Sequence, residues 1–437
     1  MNKIKLFLFL QLFFSSWFLV AKESPDQPID EISNLDGGEY KLVVEGFDWG
    51  PAVNKVILPL DKYVTEAKAN DFTVFTTRTS ANGEIVGESA SGIRSVVLAY
   101  VSDADGNRTD SSNNVTLVLA VSPVQPLGSP IQYFRGKGNV WIDYKLVIID
   151  SKSGKTWDTE SDRLMPLVDQ YDLTGKFKYS ESLTMSYASF TPKMIKEKAP
   201  LIIWLHGGGE GGTDPTIALL GNKAANYASN DIQQFFDGGA HVLVPQAPTF
   251  WMQSTEGTTR GKTNDIYNEG LMALIKEYVK SNPKIDPNRI YVGGCSNGGY
   301  MSLKLILNHP DYFAAGFISA LAYNAEFITD QEIQKIKNVP IWFIHSKDDN
   351  TTKPENTVVP VYKRLKDAGA KNVHFTYYDH VTDITGFYGG EDYRYPGHWS
   401  WIYSHSNLSR LDFDGSPVLV NGRPASIMEW MAAQRKK

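Results

Sequence analysis

The chain has 437 residues, 42% of them hydrophobic and 12% aromatic, which is enough apolar material for sizeable cores and excludes disorder as the overall state. At this length two folded units are expected. With 43 Lys+Arg against 49 Asp+Glu the net charge is −6 and no long run of one sign occurs, so the basic footprint of a nucleic-acid binder is missing and no nucleic-acid partner is expected.

The chain opens with Lys3 and Lys5, then an apolar run from Leu6 to Val20 broken by Gln11, Ser15 and Ser16, then Ala21 before Lys22 and Glu23. Residues 1–21 thus read as an export signal cleaved near Ala21, which predicts a secreted or periplasmic protein. The run falls short of the roughly 20 residues that a bilayer core requires, so a stable membrane anchor is not expected. Cys295 is the sole cysteine, so no disulfide can form within the chain, and it reads as a small packing residue.

Residues 36–125 carry short β-rich runs at Tyr40 to Val44, Lys55 to Leu58, Phe72 to Thr77, Ser95 to Val101 and Asn114 to Val121. Turn clusters such as Ala81-Asn82-Gly83 and Asp103 to Asn107 separate them, the pattern of a small all-β sandwich. The proline-rich stretch Ser122 to Pro130 marks a boundary, and residues 126–175 read as a connecting region. From 176 to 437 the pattern changes to continuous apolar runs at Ala199 to Leu205, His241 to Val244, Arg289 to Val292, Phe313 to Ser319 and Val339 to His345. Such runs alternating with helical stretches predict an α/β domain with a mostly parallel sheet covered by helices on both faces. One helix is expected from the near-helical spacing of Ile266, Leu271, Leu274, Ile275 and Tyr278, ending at Asn282-Pro283.

Directly after the run Arg289 to Val292 stands Gly293-Gly294-Cys295-Ser296-Asn297-Gly298-Gly299, followed by a helical pattern from Tyr300 to Leu307. Strand, G-x-S-x-G and helix in this order place a serine on a sharp turn with its hydroxyl exposed, so Ser296 is the candidate nucleophile. A serine hydroxyl needs a base, and the base an orienting acid, and in α/β-hydrolases both follow the serine in the chain. Asp348 and Asp349 emerge at the carboxyl end of the run Val339 to His345, and either can be the acid. For the base, position alone allows His380 or His398, and the Trp399-Ser400-Trp401 segment that can hold its ring favours His398. Two donors for a developing oxyanion are expected: the backbone N–H of Asn297 and one from Gly208 in the loop His206 to Gly212, an HGGG-type loop that follows an early strand. Trp251, Tyr323 and Trp399 are candidates to line a substrate pocket. No metal or organic cofactor is required by this chemistry.

With these residues in view the chain resembles secreted bacterial esterases of the polyhydroxybutyrate-depolymerase and feruloyl-esterase-like branch that carry an N-terminal immunoglobulin-like domain. The matching segments are Gly46 to Pro51, Leu58 to Asp61, Trp204 to Gly212, Gln246 to Trp251, Asp286 to Tyr300, His345 to Asp349 and Gly397 to Trp401. The resemblance implies an immunoglobulin-like sandwich followed by an α/β-hydrolase fold. It selects Asp349 as the acid, from an H-G-x-x-D pattern in which Ser346 replaces the glycine, and His398 as the base, from a G-H-x-x-W pattern. The expected activity is hydrolysis of short- to medium-chain acyl esters through Ser296, His398 and Asp349. A feruloyl or acetyl esterase acting on polysaccharide and a prolyl-oligopeptidase-like peptidase are the alternatives. A glycan-binding front module with an inactive hydrolase domain is the reading outside enzymology.

Overall fold

The computed structural model describes residues 37–195 and 197–436. The expected export signal lies outside them. Among the described residues no helix is long and apolar enough to cross a membrane.

The front of the chain forms one eight-stranded ladder, in the order Ser91–Arg94, Phe72–Thr79, Asp143–Asp150, Thr156–Leu164, Gly38–Phe47, Gly50–Val64, Ser112–Leu119, Val96–Ser102. Its strands alternate buried and open positions, as expected where one face is packed. Both halves of the ladder bury side chains in one core, with Val56, Leu58 and Leu117 from one half meeting Val74, Leu146 and Ile148 from the other. The Leu146 N–H donates to the Tyr40 hydroxyl at 3.0 Å although a strand intervenes between them in the ladder. The sheet is therefore folded over into two facing layers.

Residues 126–175, read from sequence as a connecting region, contribute to both sheets. Ile131–Phe134 pairs with Gly138–Trp141 as a hairpin, Asp143–Asp150 and Thr156–Leu164 complete the front ladder, and Asp172–Lys178 is the edge strand of the second sheet. The front domain thus runs about 40 residues further than its composition suggests, because the alternation in Asp143–Asp150 acquires meaning only through pairing with the distant Phe72–Thr79.

The second sheet also has eight strands, in the order Asp172–Lys178, Thr184–Phe190, His241–Gln246, Ala199–Leu205, Ile285–Cys295, Ala315–Ser319, Ile341–Ser346, Val373–Tyr378. The first two join antiparallel and the rest run parallel. Every residue of Ala199–Leu205 and of Ile341–Ser346 is buried, which explains their continuous apolar character: both faces of these strands are covered. The expected helix forms as Asn268–Ser281, burying Leu271, Leu274, Ile275 and Tyr278. Ile266 falls outside it and is exposed, because Asp265 Oδ1 accepts the N–H groups of Tyr267 and Asn268 and starts the helix after it.

Candidate active site

The strand Ile285–Cys295 ends at Ser296, which sits at φ 54°, ψ −110° immediately before the helix Asn297–Asn308. A positive φ at serine is strained backbone, tolerated where the surroundings enforce it. Here the Ser296 N–H donates to Ser319 O at 3.0 Å, and the Ser296 carbonyl accepts from Tyr300 N–H at 2.9 Å. The turn needs glycine on its far side because any Cβ at Gly298 would collide with the carbonyl of Leu205 on the neighbouring strand.

Asp349 leaves the end of Ile341–Ser346 and is almost fully buried. Its Oδ1 accepts the N–H groups of Thr351 and Thr352 at 2.8 and 3.0 Å. Its Oδ2 lies 2.8 Å from His398 Nδ1, 2.9 Å from His345 Nε2 and 2.8 Å from Thr352 Oγ1. Burial alone would raise this carboxyl, but the hydrogen bonds from His345 and His398 outweigh it and hold Asp349 well below the usual carboxylate range. Nδ1 of His398 donates to the carboxylate, which leaves Nε2 free to face the cavity.

The alternatives left open by sequence pair with each other. His380 Nδ1 donates to Asp348 Oδ2 at 2.9 Å, and Ser346 Oγ lies 2.8 Å from Asp348 Oδ1 and 2.6 Å from the Gly397 carbonyl. Ser346, the departure from the glycine pattern, therefore ties the turn carrying both aspartates to the residue that precedes His398.

The loop His206 to Gly212 is held from three sides. His206 Nδ1 donates to Gly207 O at 2.6 Å and its Nε2 accepts Ala247 N–H at 3.1 Å, while burial pushes the imidazole down to about 4, so the ring stays neutral. Gln246 Nε2 donates to Glu210 O at 2.9 Å. From the front domain, Asn139 N–H donates to Gly209 O at 2.7 Å and its side-chain amide to Glu210 Oε1 at 2.8 Å. Gly138, at φ 85°, permits this approach, since a side chain there would press on the Gly209 carbonyl. Glu210 is wholly enclosed, and burial lifts its carboxyl to about 7 against the opposing Asn139 hydrogen bond.

These groups converge on a cavity of about 710 Å³ lined by Ser296, Asn297, His398 and the glycines 207–209. Its wall includes Trp399, as expected, and also Trp401 and Phe250. The front domain supplies Asp48, Trp49, Ile131, Tyr133 and Asn139. Of the residues predicted to line the pocket, Trp251 and Tyr323 do not. Trp251 is fully buried against His206, ring centroids 5.0 Å apart, and Tyr323 is buried against Tyr300 at 4.8 Å. Both fill the core under the site because their segments turn inward. The thiol of Cys295 is buried beneath the turn and pushed well above its ordinary value by burial, in keeping with a packing role.

Residues 39–161 match the family model described as "Esterase Ig-like N-terminal domain", and residues 255–334 match the "Prolyl oligopeptidase family". The solved structure titled "Crystal Structure of a Thermostable Esterase" superposes over 91% of this chain and 99% of its own, with a TM-score of 0.71 at 22% identity. The C-terminal domain is a serine hydrolase of the α/β-hydrolase fold. The domain in front of it is immunoglobulin-like. The Nocardia uniformis subsp. tsuyamanensis protein named "Putative esterase NocK" is 30% identical to this chain over 128 residues, a match that spans 29% of this chain and 34% of NocK.

Proposed function

We propose that this hydrolase cleaves carboxylic esters of short or medium acyl chains by acyl-enzyme chemistry, with Ser296 as nucleophile, His398 as base and Asp349 as its orienting acid. In the first step Ser296 Oγ bonds to the ester carbonyl carbon, the carbonyl π pair moves onto oxygen, and the hydroxyl proton passes to His398 Nε2. The alcohol leaves with that proton, and water then repeats the sequence on the acyl-enzyme. The backbone N–H groups of Asn297 and Gly208 receive the oxyanion. The observation that carries this reading is the hydrogen bond from His398 to a deeply buried Asp349 in a cavity that Ser296 and the glycine loop also line.

The wall of that cavity favours an uncharged substrate. Among the described residues lining it there is no lysine or arginine, and its two acidic residues are enclosed: Asp48 is paired with Lys223 at 3.0 Å, and the Glu210 carboxyl is lifted to about 7 by burial. Trp49, Tyr133, Phe250 and Trp399 provide apolar surface for an acyl chain or an aromatic group. We further infer an activity outside the cytoplasm, supported by the order of charged, apolar and small residues at 1–21.

A peptidase reading is favoured by one observation, the match of residues 255–334 to the prolyl oligopeptidase family. Hydrolysis of p-nitrophenyl acyl esters, feruloyl and acetyl-sugar esters and a prolyl peptide anilide, by wild type and Ser296→Ala, separates the readings. Ester turnover that falls roughly 10⁴–10⁶-fold in the variant supports the proposal, as loss of a nucleophile demands. Cleavage of the anilide alone moves the hydrolase to the peptidases, and inactivity on every substrate overturns both.

A further inference from the structure

The side chain of Asn297 is anchored in a way that defines which end of its amide faces the cavity. Its Oδ1 accepts the buried Met252 N–H at 3.0 Å. A backbone N–H can only donate, so the oxygen end must point to Met252 and the NH2 end away from it. Met252 is itself fixed: its carbonyl accepts Thr259 N–H at 2.8 Å, and the turn before it closes through Gln253 N–H to Phe250 O at 3.0 Å.

The free end of the amide meets the glycine loop. A Cβ placed on Gly208 would lie 3.6 Å from Asn297 Nδ2, and Asn297, Gly208 and Ser296 line the cavity together. Among the described residues Nδ2 has no hydrogen-bond partner, so bracing Met252 uses only the acceptor half of the side chain. The donor half lies beside Gly208, in the wall of the cavity that Ser296 also lines.

We propose that the Asn297 side-chain amide is a third oxyanion donor, contacting the tetrahedral oxygen beside the two backbone N–H groups. This rests on the function proposed above. The amide is held by Met252 before substrate arrives, so it need not reorganise when charge develops, the condition under which such donors act most strongly.

Asn297→Asp keeps the shape and the acceptor for Met252 N–H but removes the donor, and Asn297→Ala removes both without adding charge. The measurements are kcat and KM on the preferred p-nitrophenyl ester, thermal unfolding, and a 13C NMR pH titration of the hemiketal formed by Ser296 with a labelled trifluoromethyl ketone. Both variants are expected to lose about 10²–10³-fold in kcat with KM changed less than about threefold, the scale of losing one oxyanion donor. The hemiketal oxygen is expected to ionise at higher pH in both, and Asn297→Asp to melt with the wild type. A kcat for Asn297→Asp within about threefold of wild type, or a hemiketal that ionises at the wild-type pH, overturns the inference alone. A wild type inert toward esters overturns the proposed function and this inference with it.

Discussion

Asp349 holds its Oδ2 2.8 Å from Nδ1 of His398, whereas Asp348, its neighbour in the chain, directs its own Oδ2 to His380 at 2.9 Å. Two adjacent carboxylates thus serve different histidines, Asp349 meeting His345 as well as His398. Asp349→Asn, which removes the acceptor that sets the imidazole tautomer, is expected to lower kcat by about 10⁴-fold. Asp348→Asn is expected to lower kcat by less than about tenfold, since it acts on His398 only through Ser346 and Gly397. Steady-state kinetics on one ester compares them, and equal losses would mean that the assignment of the acid is wrong.

Asn139 carries the second prediction. Its side chain belongs to the front domain and donates to Glu210 in the glycine loop. Asn139→Ala leaves the backbone bond to Gly209 in place but removes this brace, and a fall in kcat of about tenfold is expected, close to the worth of one hydrogen bond to a positioned loop. A variant with unchanged kcat would show that the loop keeps its geometry without the front-domain side chain.

Glu210 gives a pH dependence with a definite sign. Its carboxyl stands at about 7 in the folded protein against an ordinary 4.5, so between these values the native state holds a proton that the unfolded chain has lost. Stability from this group is therefore fully present below about 4.5 and is lost as pH rises through about 7. Buried His206 and His405, pushed down to about 4 and about 3 by desolvation, act in the opposite sense, stability rising with pH as their unfolded forms lose protons. Glu210→Gln isolates the first effect, since the histidines are common to both proteins. Relative to wild type, the variant is expected to gain on the order of 3 kcal/mol between pH 4.5 and 7.5 in chemical denaturation, and a pH-independent difference would contradict the assignment.

The aromatic residues divide into two groups with opposite signatures. Trp251→Ala empties a fully buried site and is expected to destabilise the hydrolase by about 3–5 kcal/mol. Trp49→Ala and Trp399→Ala trim the cavity wall, and they are expected to raise KM for aryl or longer acyl esters while lowering the melting temperature less than Trp251→Ala, since both rings are only partly buried. Melting and KM measured on all three variants decide between wall and core for each position.

This division also marks how far the sequence could be read. That Ser296, Asp349 and His398 would gather at one end of the parallel sheet was legible because each stands at the end of a short, locally patterned segment: a strand followed by a required turn, or a strand end followed by carboxylates; their roles rest on the proposal above. The parallel sheet was legible for the same reason, in runs such as Ala199–Leu205 that are apolar on both faces. Trp251 and Tyr323 were not, since an aromatic residue beside a motif has the same composition whether its segment turns toward the cavity or the core. Trp49, Tyr133 and Asn139 were missed as wall and brace because their roles arise only from the packing of the front domain against the glycine loop, a contact 71 residues apart in the case of Asn139 and Glu210. No local period records such a contact.

The close approach of Gly138 and Asn139 to the Gly209 carbonyl restricts how this protein can be recombined. A front domain exchanged for another would replace the part of the cavity wall that Trp49 and Tyr133 supply, while Ser296 and its partners, and the wall residues Phe250 and Trp399, stay as they are. The exchange is constrained at two points: the incoming hairpin must carry a residue able to adopt φ near 85° where Gly138 stands, and an amide directly after it. Chimeras that honour this pair are the natural starting point for retuning selectivity, and those that break it should be sorted out first by their inability to settle the glycine loop.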